Sequence, residues 1–211
     1  MPPSDLTRRD LLERAGFLGA AAMLAQLPDL ARLEGWLDDA HAATPIDVQQ
    51  TFEGLVAYVV PGPDRYSRQQ GQRSRTAGGV AAGGADVLIR TLDAFIASRP
   101  PFSVTVAAFL NGLSPQRRGP FRSRFANLSH RQKRAVLQAL TNSSEEAIRF
   151  LGGNLPGLAA FACYSEANAF DRRRRRLRRR PLGWRLSGYD GLAEGRPELK
   201  GYFRGRRRAD A

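Results

Sequence analysis

Apolar residues recur at helical spacing through the middle of this chain, and no segment shows the convincing two-residue alternation of a half-buried strand. Val48, Phe52, Leu55, Val56 and Val59 stand at i, i+4, i+7, i+8 and i+11, one face of a helix. Pro45 suits its first turn and Pro61 ends it. Ala85, Leu88, Ile89, Leu92, Phe95 and Ile96 mark a second helix, and Val104 to Leu110 a third, shorter and rich in β-branched residues. Ser129-His130-Arg131-Gln132 has the form of a capping box and opens a helix carrying Ala135, Val136, Leu137 and Leu140. Ser143-Ser144-Glu145-Glu146 repeats that signal before Ile148, Phe150 and Leu151, and Pro156 starts a further helix through Phe170. Between them, Pro61 to Thr76 reads as an exposed loop and Ser114 to Asn127 as a second polar, Pro/Gly-bearing connection. The pattern predicts a mostly α chain: a single compact helical domain over 43–170, with an irregular, aromatic and Arg-rich tail over 171–211.

Ahead of this body lies a different kind of segment. Thr7-Arg8-Arg9-Asp10-Leu11-Leu12-Glu13 precedes an uncharged stretch, Ala15 to Leu27, and Ala40-His41-Ala42 follows as a small-residue site. A charged region, a short apolar region and an A-x-A site make an export signal rather than a folded element. The paired arginines point to the twin-arginine route, with Arg8, Arg9, Leu11 and Leu12 as its readable residues. Residues 1–42 are therefore assigned to the signal, with cleavage near residue 42, and the protein to the cell envelope. The stretch is too short for a membrane span, which needs about 20 apolar residues.

Charge is the next constraint. The 211 residues carry a formal +13, and 31 of the 33 basic residues are arginine; Lys133 and Lys200 are the exceptions. Removing the four Arg and seven Asp/Glu of residues 1–42 raises the balance to +16. Such a charge favours acidic partners or polyanionic surfaces and does not set the fold.

Cofactor chemistry is poorly supplied. One cysteine, Cys163, and two histidines, His41 and His130, allow no intrachain disulfide, no C-x-x-C-H haem site and no Cys/His zinc cluster. Cys163 lies in an apolar helical stretch and reads as a small buried hydrophobe. His130 sits just inside a capped helix start and reads as solvent-facing, not as a triad base. Gly78-Gly79-Val80-Ala81-Ala82-Gly83-Gly84 lacks the G-x-G-x-x-G spacing and the Gly-Lys-Ser/Thr ending of a phosphate cradle, and reads as a flexible or tightly turning helix entry. No catalytic or metal residue is nominated, and no cofactor is assigned to this chain.

The last forty residues change character. Arg172 to Arg180 places eight arginines in nine positions. Without a recognised nucleic-acid fold or a stacking platform, phosphate binding on nucleic acid is not expected. A solvated, mutually repelling loop is favoured, with electrostatic docking to an acidic protein or anionic lipid next. Trp184, Tyr189, Tyr202 and Phe203 follow, and their rings need burial against their own domain or against another protein.

At these residues the chain resembles a known family. Thr51-Phe52-Glu53-Gly54-Leu55-Val56-Ala57-Tyr58-Val59-Val60-Pro61-Gly62-Pro63-Asp64, Gly78 to Gly83, Tyr164-Ser165-Glu166-Ala167, Pro181-Leu182-Gly183-Trp184 with Gly188-Tyr189-Asp190-Gly191, and Leu199-Lys200-Gly201-Tyr202-Phe203 are similar to the gluconate 2-dehydrogenase subunit 3 family, its actinobacterial branch above all. The resemblance covers roughly Thr51 to Arg204 together with the leader. It implies a small, mostly helical, non-catalytic subunit that escorts and stabilises an exported FAD-dependent oxidoreductase of the glucose–methanol–choline (GMC) type, with a cytochrome c as a further subunit. On this reading FAD belongs to the partner, and Trp184, Tyr189, Asp190, Tyr202 and Phe203 are the candidate partner contacts. Two features depart from the family: the arginine block stands where an ordinary loop is expected, and Leu11-Leu12-Glu13 replaces a Phe-Leu-Lys-like ending of the signal. The alternative is a stand-alone exported protein that binds anionic surfaces through Arg172 to Arg180.

Overall fold

A computed structural model describes residues 45–96, 99–115, 118–166, 169–171, 173–174, 176–178, 180–181 and 183–184. The export signal assigned to 1–42 lies outside them. The described chain is mostly α, as the periodicity predicts: α1 (Pro45–Val59), α2 (Arg65–Gln69), α3 (Gly84–Phe95), α4 (Phe102–Gly112), a 3₁₀ turn (Phe125–Asn127), α5 (His130–Thr141) and α6 (Glu146–Tyr164). A two-stranded antiparallel hairpin, β1 (Phe170–Asp171) and β2 (Arg176–Leu177), follows.

Helix α1 is the hub. Phe52, Leu55, Val56 and Ala57 have no solvent exposure, and α2, α3, α4, α6 and the 3₁₀ turn all pack against it. Helix α6 crosses both α3 and α5, so one apolar core runs from Val48 through Leu88 and Leu110 to Leu155 and Ala159. A smaller cluster of Ala57, Tyr66, Phe121 and Ala126 closes the far side of α1. Among the described residues no buried side-chain nitrogen or oxygen lacks a partner.

The capping box at α5 forms as the sequence predicts: Ser129 Oγ accepts from the Gln132 amide at 3.4 Å while Gln132 Oε1 accepts from the Ser129 amide at 3.0 Å. Four other expectations are corrected. Pro61 to Thr76 is not simply exposed. Asp64 caps α2 by accepting from the Ser67 amide and hydroxyl, both at 2.8 Å, and Tyr66, Ser67 and Gln70 are buried. Phe121, Ser123, Phe125 and Asn127 in the second connection are buried as well. There Asn127 supplies the hydrogen bonds a strand would have given: its Oδ1 accepts from the Phe121 amide, and its Nδ2 donates to the Phe121 and Ser123 carbonyls.

Pro156 does not start a helix but lies inside α6, which ends at Tyr164, so Phe170 falls in β1 rather than in a helix. Proline removes one intrahelical bond. The buried row Leu151, Leu155, Leu158, Ala159 and Ala162 continues on both sides of it, and that packing keeps the helix whole. Glu145, not a serine, is the N-cap of α6 and makes no side-chain cap bond; Ser143 Oγ instead accepts from the Glu145 amide at 3.2 Å.

The glycine-rich stretch before α3 is a tight joint. A Cβ on Gly78 would lie 2.5 Å from both the Gly62 nitrogen and the Val60 carbonyl oxygen. The Gly79 amide donates to that same Val60 carbonyl at 2.7 Å. Gly83 adopts φ +70°, in the left-handed region that favours glycine. Gly78→Ala therefore forces backbone apart. We expect it to lower unfolding free energy by at least about 2 kcal/mol in urea titrations. Gly112→Ala, where an added Cβ meets nothing within 4 Å, is expected to be neutral or to stabilise α4 by up to about 1 kcal/mol.

Candidate functional site

Of the residues nominated for partner contact, Trp184 is described, and it sits where α6 ends. Ser165 caps α6, its amide bonded to the Phe161 carbonyl at 2.9 Å. The chain then reverses: the Ala169 and Phe170 amides donate to the Glu166 carbonyl at 2.9 and 3.0 Å. Beyond the hairpin, Pro181 and Gly183 are buried. Gly183 rests on the α6 terminus so closely that a Cβ would come 2.6 Å from Tyr164 Cα. Half-buried Trp184 donates from Nε1 to Glu166 Oε1 at 3.1 Å. Thus Trp184 is held by its own chain, while Tyr189, Asp190, Tyr202 and Phe203 lie outside the described residues, as do Arg8, Arg9, Leu11 and Leu12.

The described arginines of the block are exposed, as composition predicts, but they lie in and beside a hairpin rather than an irregular loop. Asp171 organises it. Its carboxylate accepts from the Arg173 and Arg174 amides at 3.0 and 3.1 Å and from Arg178 Nε at 3.2 Å. Phe170 pairs with Leu177 and Asp171 with Arg176, and the Arg178 amide reaches the Ala169 carbonyl at 2.7 Å. The Arg174 amide, followed by the Arg178 charge and the Arg173 amide, holds the Asp171 carboxyl below its ordinary pKa. Composition conceals this because a single buried aspartate suffices to fold a repelling run into a turn. The hairpin presents Arg173, Arg174, Arg176 and Arg178 to solvent, and the last three line a shallow cleft of about 380 Å³ with Asp171 and Leu177.

A second polar group escapes the sequence reading. Lys133 is completely buried on α5; its Nζ donates to the Gly54 carbonyl at 3.0 Å and to Gln70 Oε1 at 2.9 Å. Gln70 passes the link on, donating to the Ala57 carbonyl at 2.7 Å. Both acceptors on the amine are neutral, so burial pushes its pKa down to about 7, against the opposing pull of Asp64. A signal for it exists in the sequence: residue 133 falls in step with Val136, Leu137 and Leu140 on the apolar face.

Nearby, Tyr66 donates to Glu53 Oε2, Arg65 Nη2 donates to Tyr66 Oη at 2.7 Å, and the Arg65 guanidinium lies over the Tyr66 and Phe121 rings. Burial, then the bond to Glu53, raises the Tyr66 pKa. His130 is half-buried rather than solvent-facing, its ring stacked on Tyr58 at 4.6 Å. Cys163 is buried, as its apolar surroundings in the sequence predict. Its Sγ fills the space above Gly79 and Gly84, and burial pushes its thiol up to about 12.

Among the described residues no group of three or more His, Cys, Asp and Glu is placed to hold a metal ion, and no helix is long and apolar enough to cross a membrane. Comparison with protein-family models, with curated proteins and with solved structures finds no match for the chain.

Two measurements check these assignments. The folded Lys133 pKa lies below its unfolded value of 10.5, so the unfolded chain binds more protons between about pH 7 and 10.5 and stability rises with pH there. The penalty is fully present below pH 7. We expect the stability of the native chain minus that of Lys133→Met to rise by about 2 kcal/mol from pH 7 to pH 9 in urea unfolding; a flat difference would place the amine in water. For the hairpin, Asp171→Ala is expected to speed hydrogen exchange at the Arg173 and Arg174 amides about tenfold. The folded Asp171 pKa is depressed, so its contribution stands at neutral pH and is lost as pH falls through that folded value.

Proposed function

We propose that this chain is a non-catalytic accessory subunit that escorts and stabilises an exported FAD-dependent oxidoreductase of the GMC type. The reading rests on the resemblance to the gluconate 2-dehydrogenase subunit 3 family. One structural observation supports it above the others: segments that carry the resemblance meet in pairs. Val60 and Gly62 close on Gly78 and Gly79, and Tyr164 and Glu166 close on Gly183 and Trp184. These residues are joints of the fold.

In this role Arg8, Arg9, Leu11 and Leu12 are read by the twin-arginine translocase, and the folded, FAD-loaded partner travels with the chain to the envelope. Redox chemistry belongs to that partner, with a cytochrome c as a further subunit of the complex. Trp184, Tyr189, Asp190, Tyr202 and Phe203 contribute the partner contacts.

A second reading is favoured by the Arg173–Arg178 surface, a solvent-facing cationic hairpin. It takes the protein as a stand-alone envelope component held to anionic lipid or acidic protein. Salt separates the two, because exposed ion contacts weaken within a short Debye length while apolar subunit contacts persist. A tagged full-length chain, recovered from its native cells at low and at high salt, is expected to bring down a flavoprotein with yellow absorbance in both. Replacing Arg8 and Arg9 by lysine is expected to reduce that flavoprotein in the envelope at least about tenfold, the loss that follows when a translocation signal is no longer read. A colourless eluate at both salts overturns the accessory role. Salt-labile retention on phosphatidylglycerol vesicles without flavoprotein supports the second reading instead.

A further inference from the structure

The outer face of α6 differs from the rest of this cationic surface. From Phe150 to Ser165 the helix carries no charged side chain, although a quarter of the whole chain is charged. Phe161 and Tyr164 stand 47 % and 44 % exposed, and Gly153 and Gly157 in the same stripe are exposed, with open space above their Cα atoms. Positions 153, 157, 161 and 164 fall within one side of the helix and span about 16 Å along it. Two half-exposed aromatic rings on an uncharged helical face are an apolar surface in want of cover.

The chain itself leads there. The last described residues are fixed at the C-terminal end of this same face: Gly183 against the Tyr164 backbone, and Trp184 on Glu166. Beyond Trp184 come 27 further residues, among them Tyr189, Leu192, Leu199, Tyr202 and Phe203. From that tether, the eighteen residues up to Tyr202 reach far more than about 16 Å even when only partly extended. A tethered segment also meets its site at an effective concentration in the millimolar range, which a free partner does not match. The face itself carries no charge, so covering it strands no ion of its own.

We infer that residues 185–203 of this chain dock along the outer face of α6, laying Tyr189, Tyr202 and Phe203 against Phe161, Tyr164 and the open backbone at Gly157. The inference concerns the chain by itself and stands whether or not a flavoprotein binds it. It gives the tail aromatics a resting place within the free protein.

Photo-crosslinking tests it. Phe161 is half-exposed, so p-benzoylphenylalanine at position 161 of the full-length chain leaves the core intact. On illumination of the purified protein, cross-links to peptides within 185–203 of the same chain, in the monomer band, are expected. Cross-links confined to a second copy or to another protein, or none to this segment, overturn the proposal. In a second measurement, a chain ending at Trp184 is expected to bind the apolar dye ANS several-fold more strongly than the full chain, and Phe161→Ser in the shortened chain to reverse the gain. Equal dye binding by the full and shortened chains also overturns it.

Discussion

Packing four helices and the 3₁₀ turn around α1 requires these neighbours to approach to backbone contact, and the glycines set where that is possible. Gly54 lets the 3₁₀ turn lie so close that an added Cβ would meet Ala126 Cα at 2.9 Å. Gly79 brings the entry of α3 against Val56, and Gly84 accepts Cys163 from α6. Gly152 performs the same service between α6 and α5, at Leu140. A core of this kind is fixed by distance of approach rather than by side-chain volume alone, since every added methyl group would push neighbouring elements apart. It also explains why Cys163 suits its place: a single small, polarisable atom fills the gap between two glycines, and its raised pKa keeps it an uncharged thiol.

The close approach has a polar consequence. Beneath these neighbours the Gly54 carbonyl faces the interior and accepts from Lys133, while the Ala57 carbonyl accepts from Gln70. Tyr66, Ser67 and Gln70 of the first connection and Phe121, Ser123 and Phe125 to Asn127 of the second then serve as walls of the core. Thr51, Asn111 and Ser123 join α1, α4 and the second connection through side-chain bonds of 2.8 to 3.0 Å. Backbone without a ladder still has to satisfy its donors and acceptors, and here short polar side chains do so.

This division explains what is legible in the sequence. Helices α1, α3 and α5 announce themselves by apolar residues at helical spacing, α4 by an apolar run buried on most sides, and the α5 cap is a local signal formed within four residues. Tyr66, Phe121 and Phe125 escape notice because they are isolated apolar residues among polar ones, and burial of a lone ring depends on partners far along the chain. Pro156 misleads for the opposite reason: local propensity breaks the helix there, and packing against α3 and α5 overrides it. The hairpin needs Asp171 to be counted against three donors at once, a sum that net charge conceals. As to the candidate site, the sequence identifies Trp184 as a ring requiring burial, but not that Glu166 receives it.

The choice of cation at position 133 follows from the same physics. This chain uses arginine for 31 of its 33 basic residues, yet the one buried cationic side chain among those described is a lysine. A guanidinium brings five donors and stays charged under any folding condition. The cavity among Gly54, Gln70 and Phe125 supplies two oxygen acceptors and an aromatic face 5.6 Å from the amine. Arginine there would leave three donors unpaired and a charge that cannot be neutralised. Lysine matches the two acceptors with two N–H groups and, with its pKa drawn down to about 7, is able to release its proton near neutrality. A pronounced compositional bias towards arginine therefore stops at the site where permanent charge would be least tolerable. The solvation of individual groups, more than composition, settles the interior of this protein.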